Sequence, residues 1–238
     1  MRYLLLLLAI ALVLAVPIAL AEPDKVYIHV VNKTEAVAGV PLAVYQDGKK
    51  VAEATTNSTG WAVVDIDTSK DFTVIITLAT GEYALKTFKP SDIVNGTVEY
   101  NLTTLHKVRL LANLTYSIPV IVSINATKLN YTVNTNATIY MAETVTIIYP
   151  KEHKVELLRK AVFKKLTYDT SELTEPSLTI TVDRDYDVMG YYQLVYVIPV
   201  TYFWFVAIGI AIIFIVALAI LMRAGAKSVA STRRVKYV

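Results

Sequence analysis

The chain has no cysteine. That excludes disulfides, thiol catalysis, cysteine-zinc sites and covalent dimers, so an exported fold would rest on core burial alone. Glycine is scarce, eight in 238 residues. No Gly-x-Gly-x-x-Gly turn, P-loop or Gly-x-Ser-x-Gly elbow is present, which removes the common phosphate-cradling and nucleophile-elbow signatures. Only three histidines occur, His29, His106 and His153, and none sits in a His-Glu-x-x-His helix. Acidic residues stop at Asp187. Asparagine is also rare, nine in all, and its placement is the most informative feature of the chain.

Eight of those nine asparagines begin an Asn-x-Thr triplet with no proline in the middle: Asn32, Asn57, Asn95, Asn101, Asn113, Asn125, Asn130 and Asn136. Serine and threonine together make up 35 residues, so chance would place about one or two asparagines in that pattern. The pattern predicts N-linked glycosylation at all eight, hence an exported, sugar-coated surface. The competing reading is a threonine-rich β protein with accidental acceptors.

Two apolar runs set the expected topology. Residues 1–21 combine Arg2, an apolar run and Ala19-Leu20-Ala21 ahead of Glu22-Pro23, the pattern of a secretory signal peptide. Residues 197–222 are expected to form one transmembrane helix. From Phe203 to Met222 there is no charged residue, and 20 residues at about 1.5 Å each span about 30 Å. Tyr191, Tyr192, Tyr196, Tyr202 and Trp204 gather on its N-terminal side, as a headgroup-level aromatic belt would. Residues 223–238 hold Arg223, Lys227, Arg233, Arg234 and Lys236 and no acid, which marks a cytoplasmic tail. Setting aside Arg2 and those five, 17 basic residues face 20 acidic ones outside the span. The expected exterior is therefore anionic, and no nucleic-acid partner is expected. Together these features predict a single-pass type I cell-membrane protein with an extracellular ectodomain.

That ectodomain, about 175 residues, reads as strands. Val26, Ile28 and Val30 alternate with Tyr27 and His29. Leu42 to Gln46 and Lys49 to Ala54 flank Asp47-Gly48, a tight-hairpin turn. Gly60–Ile66, Phe72–Leu78, Tyr83–Phe88 and Thr97–Leu102 bring the count to roughly seven. A further set runs Lys107–Leu111, Ile118–Ile124, Ala137–Met141, Thr144–Tyr149, Leu178–Val182 and Tyr191–Val197. The expected fold class is all-β, two β-sandwich domains at 22–104 and 105–190 followed by the single C-terminal transmembrane helix. Lys151 to Leu166 fits either a helix or a strand. Its six basic residues against Glu152 and Glu156 suit either a lipid-facing surface or a solvated strand edge.

Residues 25–104 resemble the transthyretin-like β-sandwiches, which include carboxypeptidase regulatory-like domains. The resemblance is carried by Val26-Tyr27-Ile28-His29-Val30, by Gly39-Val40-Pro41-Leu42-Ala43-Val44, and by the step Thr56-Asn57-Ser58-Thr59-Gly60-Trp61. It implies a scaffold or binding module without an active site. Glu143 to Pro150, Leu178 to Val182 and Asp187 to Tyr192 are similar to β-domains of archaeal-type surface-layer and secreted proteins, which implies a cell-surface glycoprotein.

Chemistry is sparse. Asp183, Asp185 and Asp187 alternate like calcium ligands, but Val188 and Leu194 stand where a calcium loop needs glycine and glutamate. The bland reading is an acidic turn. His153 with Glu152 and Glu156 is a weak zinc grouping, and Asp65 with Asp67 a weak glycosidase pair. We therefore expect no catalytic residues, cofactor or metal. The leading expectation is a non-enzymatic scaffold or adhesion/interaction module. Alternatives are an accessory subunit of a membrane complex, such as a transporter or protein-export channel, and an ecto-hydrolase. Acceptors stop at Asn136, so the bare stretch 139–196 reads either as a docking face for a protein partner or membrane lipid, or as a part with too few loops to host acceptors. Ala207 and Ala211 would permit helix pairing in a homo-oligomer.

Overall fold

The computed structural model describes residues 24–197 and 200–234. The expected signal peptide and the last four residues of the tail lie outside them. Apart from two single 3-10 turns, the described residues are all-β up to one long C-terminal helix. In order, the strands are β1 (Asp24–Asn32), β2 (Glu35–Ala36), β3 (Pro41–Gln46), β4 (Lys49–Thr55), β5 (Trp61–Ile66), β6 (Phe72–Thr77), β7 (Tyr83–Phe88), β8 (Thr97–Asn101) and β9 (His106–Ala112). There follow β10 (Pro119–Ile124), β11 (Leu129–Asn134), β12 (Ala137–Met141), β13 (Thr144–Ile148), β14 (Glu152–Lys154), β15 (Arg159–Tyr168), β16 (Ser171–Leu173), β17 (Ser177–Thr181) and β18 (Tyr186–Tyr196). Helix α1 covers Val200–Arg234.

Two compact units emerge. Among the described residues, the first holds 24–150 together with Lys165–Tyr191; the second holds Lys151–Lys164, 192–197 and 200–234.

Within the first unit, β1 pairs with β2, β5 and β8, and a second layer runs β7-β6-β3-β4. Alternation drives this sandwich. Val26, Ile28 and Val30 are fully buried while Tyr27 between them is exposed. Ala62, Val64 and Ile66 from β5, Leu42 and Val44 from β3, Phe72 and Val74 from β6 and Tyr100 from β8 complete one core. The Asp47-Gly48 turn forms as expected, with both residues at positive φ (48° and 76°). Gly60 has φ of 75°, and a Cβ there would stand 2.8 Å from the Val30 carbonyl oxygen, which explains the glycine before Trp61. Edge strand β4 opens on Lys49 and Lys50, charges that discourage pairing with another chain.

Strand β6 is buried on both faces from Phe72 to Ile76. The inward set meets the sandwich core. On the other face, Thr73 shares hydrogen bonds with Thr87 (2.9 Å) and Thr127 (2.7 Å). Gly48 donates its amide to the Thr127 carbonyl at 2.7 Å. The turn 125–128 thus covers the outside of β6.

The expected division at residue 104 does not separate compact units. Strand β12 runs parallel to β7, with Ile139 opposite Tyr83 and Tyr140 opposite Ala84. It also pairs with β9, which pairs with β18. The sheet therefore continues unbroken as β18-β9-β12-β7-β6-β3-β4. The sheet β11-β10-β13-β17 buries Val120, Val122, Ile124, Val145 and Ile147. Tyr149, just past β13, turns its buried hydroxyl toward the carbonyls of Leu111 (3.1 Å) and Val188 (2.8 Å), tying the end of this sheet to β9 and β18. Hydrogen bonds across the β7–β12 seam make one unit of two cores, and nothing local in the sequence marks that seam.

In the second unit, residues 151–164 of the ambiguous stretch 151–166 form a hairpin. Glu152 pairs opposite Val162, His153 opposite Ala161 and Lys154 opposite Lys160. Pairing burial of Ala161 and the edge-on contact of Phe163 with Tyr192 (5.6 Å) outweigh the helix-like spacing of Val155, Leu158, Val162 and Leu166. Strand β18 extends to Tyr196, and α1 begins at Val200 rather than 197.

Candidate functional surface

Tyr202–Arg223 of α1 is a stretch long and apolar enough to cross a membrane. Its 22 residues span about 33 Å at 1.5 Å each. Phe205, Ile208, Ile213, Phe214 and Leu221 are all exposed, so apolar surface faces outward around the whole helix. Only lipid or another apolar helix removes that surface from water. The helix runs on through Met222 to Arg234, so the basic stretch expected as a separate tail is partly helical. Of the five aromatic residues expected as a belt, Tyr196, Tyr202 and Trp204 are exposed at its start. Tyr192 is not in that belt: it is buried against Phe163, and burial pushes its hydroxyl pKa upward. Tyr191 lies beneath the Lys165 ammonium at 5.2 Å.

Seven of the eight acceptor asparagines are exposed, and Asn101 is half-buried. All but Asn130 stand at strand ends or in turns. Several also serve the turns they sit in. The Asn57 side-chain Oδ1 accepts from the Thr59 amide (2.9 Å), the Thr59 hydroxyl (2.9 Å) and the Trp61 amide (3.0 Å). Asn101 repeats this with the amide and hydroxyl of Thr103. Asn95 and Asn136 take positive φ, a conformation asparagine tolerates well. Thr127 is different: its hydroxyl is buried against Thr73. An enzyme needing that hydroxyl would have to act on Asn125 before this part of the fold closes.

The outer face of β1 and β5 carries an aromatic patch. His29 stacks on Trp61 with ring centres 4.2 Å apart and planes within 9°. Beside them, Tyr27 and Val63 are partnered across the same strand pair and stay exposed. His29 thus lines a sheet face, as its place in the opening strand suggests.

A second feature is a groove across β3, β4 and β6, lined by Pro41, Ala43, Tyr45, Glu53, Ile75 and Tyr131. Tyr131 meets Tyr83 edge-on at 5.6 Å and Tyr45 at 6.5 Å. Burial, reinforced by the two neighbouring tyrosines, pushes the Tyr131 hydroxyl up to about 12. It is a neutral hydrogen-bonding group at physiological pH.

The carboxylates that the sequence offers for chemistry are tied up separately. Asp187 makes a two-point ion pair with Arg109. Asp185 accepts from the Lys107 amide (2.8 Å), and Asp183 from the Tyr186 hydroxyl (2.9 Å). Among the described residues no group of three acidic, histidine or cysteine side chains converges for a metal ion. Glu152 pairs with Lys160 (2.8 Å) and Glu156 with Arg159 (2.6 Å) instead of joining His153. Asp67 is held below the usual carboxylate range, chiefly by the hydroxyl and amide of Ser69, which suits an anion and not a general acid. The sequence did not point to Glu143. It is half-buried and accepts from the Thr87 amide, and burial raises its pKa despite that bond.

No family model matches the chain, and no curated protein sequence does. Among solved structures, the minor pilin GBS52 of Streptococcus agalactiae matches at a TM-score of 0.24 and 11% identity, over 72% of this chain and 96% of that one. The Bacillus anthracis TIE protein matches at 0.27 and 10%, over 71% of this chain and 34% of that one. Two B repeat units of the collagen-binding protein CNA of Staphylococcus aureus match at 0.23 and 14%, over 72% and 49%. The functional reading rests on the chain's own residues.

Proposed function

We propose that this chain is a membrane-anchored, N-glycosylated cell-surface protein that works through its surfaces, as a scaffold or interaction module, and not as an enzyme. The observation that carries this reading is the pairing of one outward-apolar span with exposed Asn-x-Thr acceptors, all on the N-terminal side of that span. Sugar must stay in water, so modification of those acceptors would place the β-rich part outside the cell and the basic C-terminus inside. The likeness of residues 25–104 to transthyretin-like sandwiches adds support for a non-catalytic module. The aromatic patch around Trp61 and the tyrosine-walled groove are the contact surfaces this reading favours.

The test is mild-detergent extraction of native membranes followed by mass spectrometry of glycopeptides and co-purifying chains. Glycan on the Asn57 and Asn113 peptides is expected, and unmodified peptides at both would overturn the outward orientation. A second reading, an accessory subunit of a membrane complex, draws on the absence of acceptors from 139–196. Co-purification with other chains in fixed stoichiometry is its expected result.

A further inference from the structure

The loop between β14 and β15 is built unlike a turn. It reads Val155-Glu156-Leu157-Leu158, with none of the glycine, proline, asparagine or aspartate that tight connections favour. The backbone closes on itself, because the amides of Val155 and Glu156 both donate to the Arg159 carbonyl at 3.2 Å. The fold therefore holds the tip in place while leaving Leu157 80% exposed and Leu158 39% exposed. Large apolar side chains fixed at an exposed hairpin tip in two successive positions call for an apolar medium.

Three observations identify that medium. The Val197 amide donates to the Leu158 carbonyl at 2.8 Å, so the tip is fastened to the chain three residues before α1 starts. Beside the tip, Tyr196 and Val197 are themselves more than half exposed. The charge is of the matching kind: Lys151, Lys154, Arg159, Lys160 and Lys164 stand against Glu152 and Glu156, and both acids are already ion-paired within the hairpin. An apolar tip with a basic surround is the composition of an element that lies in the headgroup layer.

We propose that this loop is a second membrane contact: Leu157 and Leu158 enter the acyl boundary of the bilayer that holds α1, and Lys151 and Lys154 meet its phosphates. The proposal rests on α1 being embedded in lipid. Two contacts, the helix and the hairpin, would fix the orientation of the juxtamembrane unit where a helix alone would let it swivel.

The absence of cysteine makes the test direct. Full-length Leu157→Cys, Ile213→Cys and Val94→Cys variants each carry one nitroxide label and are reconstituted into nanodiscs of phosphatidylcholine and phosphatidylglycerol. Collision rates with oxygen, which concentrates in lipid, and with a water-soluble nickel chelate are then compared by electron paramagnetic resonance. The oxygen-to-nickel ratio at 157 is expected to resemble that at 213 in the span and to exceed that at 94 several-fold. A ratio at 157 equal to that at 94, with 213 still in lipid, overturns the proposal alone. A water-like ratio at 213 overturns the membrane reading itself. Low access of both reagents to 157 means cover by a second copy of the chain and also overturns it. In the anionic bilayer, Lys151→Glu with Lys154→Glu is expected to raise nickel access at 157, and an unchanged value overturns the headgroup contact.

Discussion

The two compact units dispose of apolar surface in opposite ways. The first holds all eight Asn-x-Thr triplets and buries most of its large apolar side chains, from Val26 to Val188, leaving Tyr27, Val51, Val63 and Val94 as scattered exceptions. The second carries no acceptor, and Leu157, Tyr196, Val197 and the run from Tyr202 to Met222 stand open. A water-soluble sandwich of this size could not leave so much apolar surface bare and stay monomeric. Under the proposed function the solvent would change along the chain, from water around the first unit to lipid around Tyr202–Arg223.

The strongest way to test that contrast is to remove the same kind of surface from each side of it. Phe72→Ala deletes a ring with no exposure, stacked on Phe88 at 5.4 Å. It is expected to cost about 3–5 kcal/mol in denaturant unfolding of the β-rich part. Leu157→Ala is expected to change the same unfolding by less than about 0.5 kcal/mol, since it buries little within the protein. Equal effects would break the comparison.

Gly48→Ala comes next. Its φ of 76° and a Cβ only 2.8 Å from the Lys128 carbonyl predict a loss of about 1–3 kcal/mol, read from the same unfolding curves. This position reports whether the Asp47-Gly48 hairpin is locked to the 125–128 turn.

Glu143 gives the first unit a pH dependence. Its folded pKa lies above its unfolded value because burial disfavours the charge. The folded state therefore binds the proton more tightly. Stability from this group is present below the ordinary glutamate pKa and is lost as pH rises through the raised folded value. Unfolding free energy is expected to fall as pH rises above the ordinary glutamate pKa through the raised one, and Glu143→Gln to flatten the fall.

Smaller still is Tyr100→Phe. The Tyr100 hydroxyl is fully buried without a hydrogen-bond partner among the described residues, and burial raises its pKa well above the ordinary value. Its removal is expected to be neutral or to stabilise by about 1 kcal/mol in thermal unfolding. A minor effect belongs to Asp187→Asn. The Arg109–Asp187 pair is half exposed on both sides, so its loss is expected to shift the unfolding curve little, and less at high salt.

Legibility followed the range of the interactions. The strands around Val26, Leu42, Phe72 and Tyr83 were readable because alternation and turn residues act over a few positions. Strand β11 carries little local signal, since Asn130 and Thr132 dilute its apolar pattern and only Leu129 and Val133 are buried. The stretch 151–166 was ambiguous because its apolar spacing fits two periods. Of the chemistry, the aspartates at 183, 185 and 187 looked like one group, yet Arg109, the Lys107 amide and Tyr186 draw each to a different partner. Two of those partners lie 78 residues away in sequence.

By itself, the order of residues determined the all-β class, the apolar span and the positions of the acceptor asparagines, because propensity, hydropathy and a three-residue motif are local properties. Only the tertiary structure decided that β7 joins β12, that β6 is covered on both faces, that the acidic triplet is dispersed among separate partners, and that two leucines are held outward beside the start of the helix. Each of those depends on backbone hydrogen bonds or side-chain contacts between segments distant in sequence, which no local pattern encodes.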